Sequence, residues 1–234
     1  MLLTRPNDSR HVVVILAAGY SSRLGQPKQL LHKAGQPLVR HVAQLALQTQ
    51  PSRVLVVTNP TLAAQIQTIV QDLPVECVIN PQAEQGMTSS LQVAANTLNA
   101  DQSLSQSTEQ RSDKRHVMVL AVDQPLLRIE HLIHLVDAVQ GQPTQVALTG
   151  YAATIGLPVL VPMSVFAQIK QLPSDQDMGL KPVLQQYPAA LKTIIEQPDL
   201  QYDLDTPAML HAAIEQGWID PLPYHRDSPI AFNH

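Results

Sequence analysis

Aromatic side chains are scarce in this chain: Phe, Trp and Tyr together make up 3% of its 234 residues. A core must then be packed from Leu, Val, Ile and Ala, and a hydrophobic fraction of 44% is enough to build one. Cys77 is the sole cysteine, which excludes an intrachain disulfide. In the run Val75-Glu76-Cys77-Val78-Ile79 it reads as a small buried apolar residue. There is no excess of basic charge. The formal net charge is -4, which argues against a general nucleic-acid-binding surface but allows a local basic pocket for a small anion. Long apolar runs are missing too. The opening MLLTRPNDSR has no signal-peptide core, and the apolar stretch 12–18 is far too short to cross a bilayer. These absences predict a soluble, cytoplasmic protein that binds neither nucleic acid nor membrane.

Common active-site strings are also absent. The nine histidines form no H-E-x-x-H, and His131 and His134 share a helix face without further ligands. Gly19-Tyr20-Ser21 is not a G-x-S-x-G nucleophile elbow. Neither the Walker string G-x-x-x-x-G-K-[ST] nor the dinucleotide string G-x-G-x-x-G occurs.

What is present is alternation. Residues 12–16, 54–58, 75–79 and 117–122 are short β-branched runs bounded by polar or Pro/Gly segments, the pattern of buried strands. Between them, apolar residues recur at helical spacing: Leu38, Val42, Leu45 and Ala46, then Leu62, Ile66, Ile69, Val70 and Leu73, then Ile129, Leu132, Ile133, Val136 and Val139. Strand, helix, strand in repetition predicts a single α/β domain over 1–234, with a Rossmann-like, mostly parallel sheet flanked by helices. Further strands are expected at 158–161 and 191–195. Thr206 and Pro207 read as N-cap and first helical residue of a helix running through Glu215. The Gln-, Ser- and Asp-rich stretch 99–115 reads as a solvated loop, and 220–234 as a surface tail.

The strongest local signal follows the first strand: Leu16-Ala17-Ala18-Gly19-Tyr20-Ser21-Ser22-Arg23-Leu24-Gly25-Gln26-Pro27-Lys28. Ligands of open parallel sheets bind just beyond the carboxyl ends of strands. Small residues there let backbone N–H groups approach an anion, Arg23 can grip phosphate oxygens as a fork, and Lys28 adds a compact positive charge. A second anchor, Val119-Leu120-Ala121-Val122-Asp123-Gln124-Pro125, ends an apolar strand on one carboxylate. Asp123 there suits a magnesium ligand, although aspartate before Gln-Pro is also common in plain turns. A third, Asp203-Leu204-Asp205-Thr206-Pro207, carries two carboxylates spaced by one residue. In extended backbone these point to opposite sides, so only one should face a shared metal. Asp205 is the expected one and Asp203 the alternative, while a carboxylate at 205 could also simply favour the positive end of the following helix.

The string L-A-A-G-x-S-x-R-x-G-x-x-K resembles the signature of the MobA-like nucleotidyltransferases, including the molybdenum cofactor cytidylyltransferases (MocA-like). The resemblance extends from Val12 to about Leu210. It implies a nucleotide-diphospho-sugar transferase-like fold and Mg2+-dependent transfer of a nucleoside monophosphate onto a small phosphorylated acceptor, with release of pyrophosphate. By the same resemblance, Leu16, Ala17, Ala18, Gly19, Arg23, Lys28, Gly86 and Ser90 bind the nucleotide, Arg23 and Lys28 act on its phosphates, and Asp123 and Asp205 hold the metal. The segment Glu84-Gln85-Gly86-Met87-Thr88-Ser89-Ser90-Leu91 would close over base and sugar. Gly156-Leu157-Pro158-Val159-Leu160 and Asp177-Met178-Gly179-Leu180-Lys181 resemble acceptor-side segments, with Gln176 and Leu180 departing from the usual glycine and alanine. The A-A-G string, Gln26-Pro27-Lys28 and Asp123-Gln124-Pro125 resemble the cytidylyl branch, so CTP is the expected nucleotide and molybdopterin the expected acceptor. Guanylyl transfer, a phosphosugar acceptor, and a non-catalytic cofactor carrier serving a molybdoenzyme are the alternatives.

Overall fold

A computed structural model describes residues 11–100, 115–151, 154–173 and 177–222. Most of the polar stretch 99–115, most of the tail 220–234, and Gln176 lie outside the described residues.

The sheet grows outward from β1 (His11–Ala17), which pairs in parallel with β4 (Val54–Thr58) on one side and β6 (His116–Ala121) on the other. β5 (Glu76–Ile79) adds in parallel beyond β4 and forms one edge. Beyond β6 lie β8 (Thr154–Pro162), β7 (Val146–Tyr151) and β9 (Lys192–Glu196), giving the order β5-β4-β1-β6-β8-β7-β9. Only β8 runs antiparallel to its neighbours in this sheet. A short antiparallel ribbon, β2 (His32–Lys33) with β3 (Gln36–Pro37), stands apart from the main sheet. The chain adds strands to the left of β1 and then to the right, so the sheet's topological switch lies between β1 and β6. That is where a crevice opens in a doubly wound sheet.

Strand alternation divides the core in two. Val12, Val14 and Ala18 pack on one face with Leu91, Ala94 and Leu98 of α3 (Met87–Ala100) and with Phe166 of α5 (Met163–Phe166). Val13, Ile15 and Ala17 pack on the other, against Val39, Val42 and Ala46 of α1 (Leu38–Gln48), Ile66 of α2 (Ala63–Val70), and Leu132 and Leu135 of α4 (Ile129–Ala138). The period of two in β1 thus sends alternate residues to two helix layers. A third, smaller cluster joins Leu24, Leu31 and Leu38 to Leu204, Leu210 and Ala213, seating α7 (Pro207–Glu215), the helix after α6 (Lys181–Gln186), beside the loop after β1. Thr206 caps α7 by accepting from the Met209 N–H at 3.3 Å, and Pro207 stands in its first turn, as the sequence predicts.

Several expectations are corrected. The expected strand at 75–79 is an edge strand, not a buried one: Glu76 and Ile79 are exposed, and Cys77 is only half-buried. Among the described residues no strand pairs beyond β5, so its outer edge stays open to solvent. The expected 158–161 strand begins at Thr154. β7 has no counterpart among the expected strands; its Ala147, Leu148 and Gly150 carry little strand propensity, and pairing on both sides defines it. His131 completes the cap of α4, its Nδ1 accepting from the Arg128 N–H at 3.2 Å.

Candidate active site

The loop leaving β1 is pinned by buried amides. Gln29 is 1% exposed, and its side-chain N–H2 donates to the carbonyls of Ala17 at 2.7 Å and Gly19 at 2.8 Å. Asn59 donates to the Ala18 carbonyl at 3.0 Å and accepts from the Leu62 N–H at 2.9 Å. Three successive carbonyls are thereby fixed by side chains from two other segments. Ser21 takes a left-handed φ of 53°, and its carbonyl accepts from the N–H groups of Leu24 and Gly25. Gly25, at φ 77°, then turns the chain so that the Lys28 N–H reaches the Ser21 Oγ at 3.2 Å.

Across from this loop stands the start of α3. Asn80 donates to the hydroxyls of Ser89 at 2.8 Å and Ser90 at 3.0 Å, and accepts from the Gln82 N–H. Gly86 has φ 92°, open to glycine and strained for other residues. Between loop and helix lies a cavity of about 300 Å3 whose wall includes Leu16, Ala18, Gly19, Lys28, Gly86 and Ser90. Asp123 and Asp177 line it too. Ala17 does not, because strand alternation turns its side chain into the opposite core; its carbonyl serves instead as an anchor for Gln29. Arg23 lies outside the wall, with a side chain 73% exposed.

Asp123 and Asp205 converge on one cation. The Lys28 ammonium donates to Asp123 Oδ2 at 3.0 Å and to Asp205 Oδ1 at 2.5 Å, and Arg23 donates to Asp205 Oδ2 at 2.9 Å. The convergence has a backbone cause. The Leu204 N–H donates to the Asp123 carbonyl at 3.0 Å, and buried Leu204 fills the third cluster. Asp203 and Asp205 then flank an anchored, inward-pointing residue. Burial alone would lower the Lys28 ammonium's pKa, but the two carboxylates outweigh it and hold the group above its ordinary value. Asp205 is held below the carboxylate range, chiefly by the hydrogen bond from Lys28. Asp203 is pushed up to about 7 by burial and by repulsion from Asp123 and Asp205.

A second cavity, of about 620 Å3, adjoins the first and shares Met87, Ala121 and Asp123 with it. Asp203 lines this one, among Tyr151, Leu157, Met178 and Lys181. The two carboxylates of the Asp-Leu-Asp string therefore serve different surroundings: Asp205 the cations, Asp203 the larger cavity. Gln124 closes its floor, donating to the carbonyls of Leu157 and Leu200, each at 2.9 Å.

Sequence reasoning missed Gln29, Asn59 and Gln124. Each is a buried amide whose partners come from elsewhere in the chain. For Gln29, adjacency to Lys28 was the only signal. Among the described residues, no group of three or more His, Cys, Asp and Glu side chains could hold a metal, and no helix is long and apolar enough to cross a membrane.

The bifunctional protein GlmU of Legionella pneumophila is 33% identical over 132 residues, 56% of this chain, and the chain spans about a quarter of the length of such relatives. Among solved structures, a homologue of Mycobacterium tuberculosis Rv0371c from Mycobacterium sp. strain JC1 superposes with a TM-score of 0.67 at 25% identity, covering 89% of this chain and 97% of that one. Rv0371c of M. tuberculosis H37Rv, in complex with manganese, gives 0.65 at 20% identity, over 88% and 98%. A CMP:2-keto-3-deoxy-manno-octonic acid synthetase complexed with CTP gives 0.63 at 20% identity, over 89% and 98%. The family profile described as the MobA-like NTP transferase domain matches residues 13–191, about three quarters of the sequence. With that match laid over a doubly wound sheet and its crevice, the chain belongs to the MobA-like NTP transferases.

Proposed function

We propose that this protein transfers CMP from CTP to the phosphate of a molybdopterin-type acceptor and releases pyrophosphate. The observation that carries the reading is the meeting of Lys28, Asp123 and Asp205 at the β1/β6 switch, beside a cavity bounded by the loop after β1. Lys28 and Arg23 supply positive charge for the triphosphate. Leu16, Ala18, Gly86 and Ser90 surround the space for the base. Ala18 puts a methyl group in that wall, which favours a pyrimidine over the larger purine.

Mg2+ fits the donor set. Asp123 and Asp205 are hard oxygen donors that already converge on a cation, and magnesium takes one or two carboxylates with phosphate and water oxygens completing its shell. Bound there, the ion would neutralise charge on the phosphates. The acceptor phosphate is mostly ionised near pH 7, since a monoester's second pKa is about 6, so attack on the α-phosphorus needs no strong base. A new P–O bond forms at the α-phosphorus as the bond to the β-phosphate oxygen breaks, and pyrophosphate leaves. The chain's own contribution is alignment and charge: Lys28 borders the cavity, and Arg23, outside its wall on Asp205, would turn inward to reach the phosphates.

A cytidylyl transfer to a sugar acid is the second reading, favoured by the octonic acid synthetase's fold and its CTP. Pyrophosphate release with CTP, GTP and UTP, each with and without molybdopterin or a sugar-acid acceptor, separates the two. Release that depends on CTP and molybdopterin is the expected result. A clear GTP preference defeats the cytidylyl assignment. Nucleotide binding without release under any acceptor would make the protein a carrier.

A further inference from the structure

We infer that Asp177 reads the ribose of the bound nucleotide, an inference that rests on the nucleotide site proposed above. Asp177 lines the 300 Å3 cavity, although it comes from a segment distant in sequence from the loop after β1. Its carboxylate is held in place. The Met87 N–H donates to Asp177 Oδ1 at 2.5 Å, and a Cβ on Gly86 would lie 2.3 Å from Asp177 Cγ. Two residues later the Gly179 N–H donates to Thr88 Oγ1 at 3.0 Å, so this segment clasps the start of α3 at two points. Gly86 thus has two reasons to lack a side chain: a φ of 92° and the carboxylate seated over it.

Position along the cavity indicates what the carboxylate meets. Ser21 and Lys28 mark the phosphate end, where cationic charge is concentrated. Ala18, Ala83 and Ser90 are small residues that leave room for a base. Met87, Ala121 and Asp123 belong to both cavities, and Met178, Gly179 and Lys181, which follow Asp177, line the larger one. Asp177 lines the smaller cavity alone and Met178, next to it, the larger, so Asp177 stands on the smaller cavity's side of their junction, and there we place the sugar that bridges base and phosphates. An ionised carboxylate only accepts hydrogen bonds, and phosphates would repel it. A nucleoside triphosphate offers donors at its sugar hydroxyls and at amino groups of some bases. The junction favours the hydroxyls, and a bond from a hydroxyl to an ionised carboxylate is among the stronger neutral-to-charged kinds.

The test compares the preferred ribonucleoside triphosphate with its 2′-deoxy and 3′-deoxy forms, by calorimetric binding and by pyrophosphate release, in wild type, Asp177→Ala and Asp177→Asn. The wild type should prefer the ribose form by about 10- to 100-fold over at least one deoxy form, the range for a hydrogen bond to a charged group. In Asp177→Ala that preference should collapse towards unity, mainly through weaker use of the ribonucleotide. Asp177→Asn keeps the size and an accepting oxygen, so it should retain part of the preference and covers the case in which the alanine variant fails to fold. A wild type indifferent to both sugar hydroxyls overturns the inference. So does an undiminished ribose preference in the folded variants, or a change confined to the CTP:UTP ratio, which would move Asp177 to the base. If the wild type binds no ribonucleoside triphosphate at all, the nucleotide site itself fails, and this inference with it.

Discussion

Lys28 and Asp123 lie 95 residues apart in sequence and 3.0 Å apart at their charged ends, with Asp205 against the same ammonium. One cation therefore holds together two carboxylates whose side chains are 24% and 31% exposed. Lys28→Ala should lower kcat/KM by about 100-fold or more, the scale for removing one preorganised group that stabilises developing charge. It should also leave the two carboxylates facing each other with the exposed Arg23, on Asp205, as their remaining counter-charge. Added Mg2+ should then raise the melting temperature of the variant more than that of the wild type. Equal magnesium responses would show that metal and ammonium do not share these carboxylates. Arg23→Lys keeps the charge and loses the fork; its largely exposed side chain predicts an unchanged melting temperature with activity reduced by about tenfold.

Asp123→Asn replaces a carboxylate by an amide of nearly the same size, so the strand end should keep its packing. The neutral oxygen binds magnesium more weakly. The magnesium midpoint for activity should move to much higher concentration and the maximal rate should drop, while triphosphate binding without metal stays level or tightens. A wild-type rate with the same magnesium midpoint would reduce Asp123 to a turn residue that merely pairs with Lys28.

Gly19 and Gly86 predict opposite outcomes for the same substitution. A Cβ at Gly19 meets nothing within 4 Å, so Gly19→Ala should change stability by no more than about 0.5 kcal/mol. If phosphates approach this backbone closely, the added methyl should still raise the KM for the triphosphate. Gly86→Ala carries both backbone strain at φ 92° and the collision with Asp177, so it should cost stability of about 1–3 kcal/mol as well. Melting curves beside KM measurements check both; an unchanged KM in Gly19→Ala would remove Gly19 from the nucleotide's path.

The parts of this protein legible in sequence are those that local chemistry decides. The run through 12–16 reads as a strand because β-branched residues and burial on both faces agree, and Thr206-Pro207 opens α7 because cap and proline act within one turn. The family string marks the loop after β1 because small residues, turns and cations must fall there in order. What stayed hidden depends on residues distant in sequence. β7 exists through pairing with β8 and β9. Gln29, Asn59 and Gln124 matter through carbonyls supplied by other segments, which their own neighbours in sequence do not reveal. The alternation rule assigned Asp203 and Asp205 to opposite sides, but not the cavity that Asp203 would line or the rise in its pKa, which comes from burial first and then from Asp123 close by.

At the opposite end of the sheet, His11 and His116 are register partners on β1 and β6, and both are buried. The Thr49 hydroxyl is placed to donate to the Ala46 carbonyl at 2.7 Å, so it accepts from the His11 Nε2–H at 2.8 Å, which suits neutral imidazole. Burial, with the charge of His116 as a lesser cause, lowers His11 from 6.5 to about 4. Between these values the unfolded chain binds the proton and the folded one does not. The His11 contribution is therefore complete above pH 6.5 and lost as pH falls towards 4, up to about 3 kcal/mol. Asp203 works in the other direction. With its folded value near 7 against an ordinary 3.8, the native state binds more protons between those values, and stability rises as pH falls through that window. The two slopes oppose each other in the wild type, so single variants are needed to expose them. Denaturant unfolding at pH 7.5, 6 and 4.5 should show His11→Gln gaining stability relative to wild type as pH falls, and Asp203→Asn losing it. Asp72 and Asp205, held below the ordinary 3.8, contribute in full above that value and lose the contribution only as pH falls from there through their own lower values. Parallel curves for wild type and His11→Gln would mean that His11 takes its proton in the folded state as readily as in the unfolded chain, and that the Thr49 contact does not require the neutral ring.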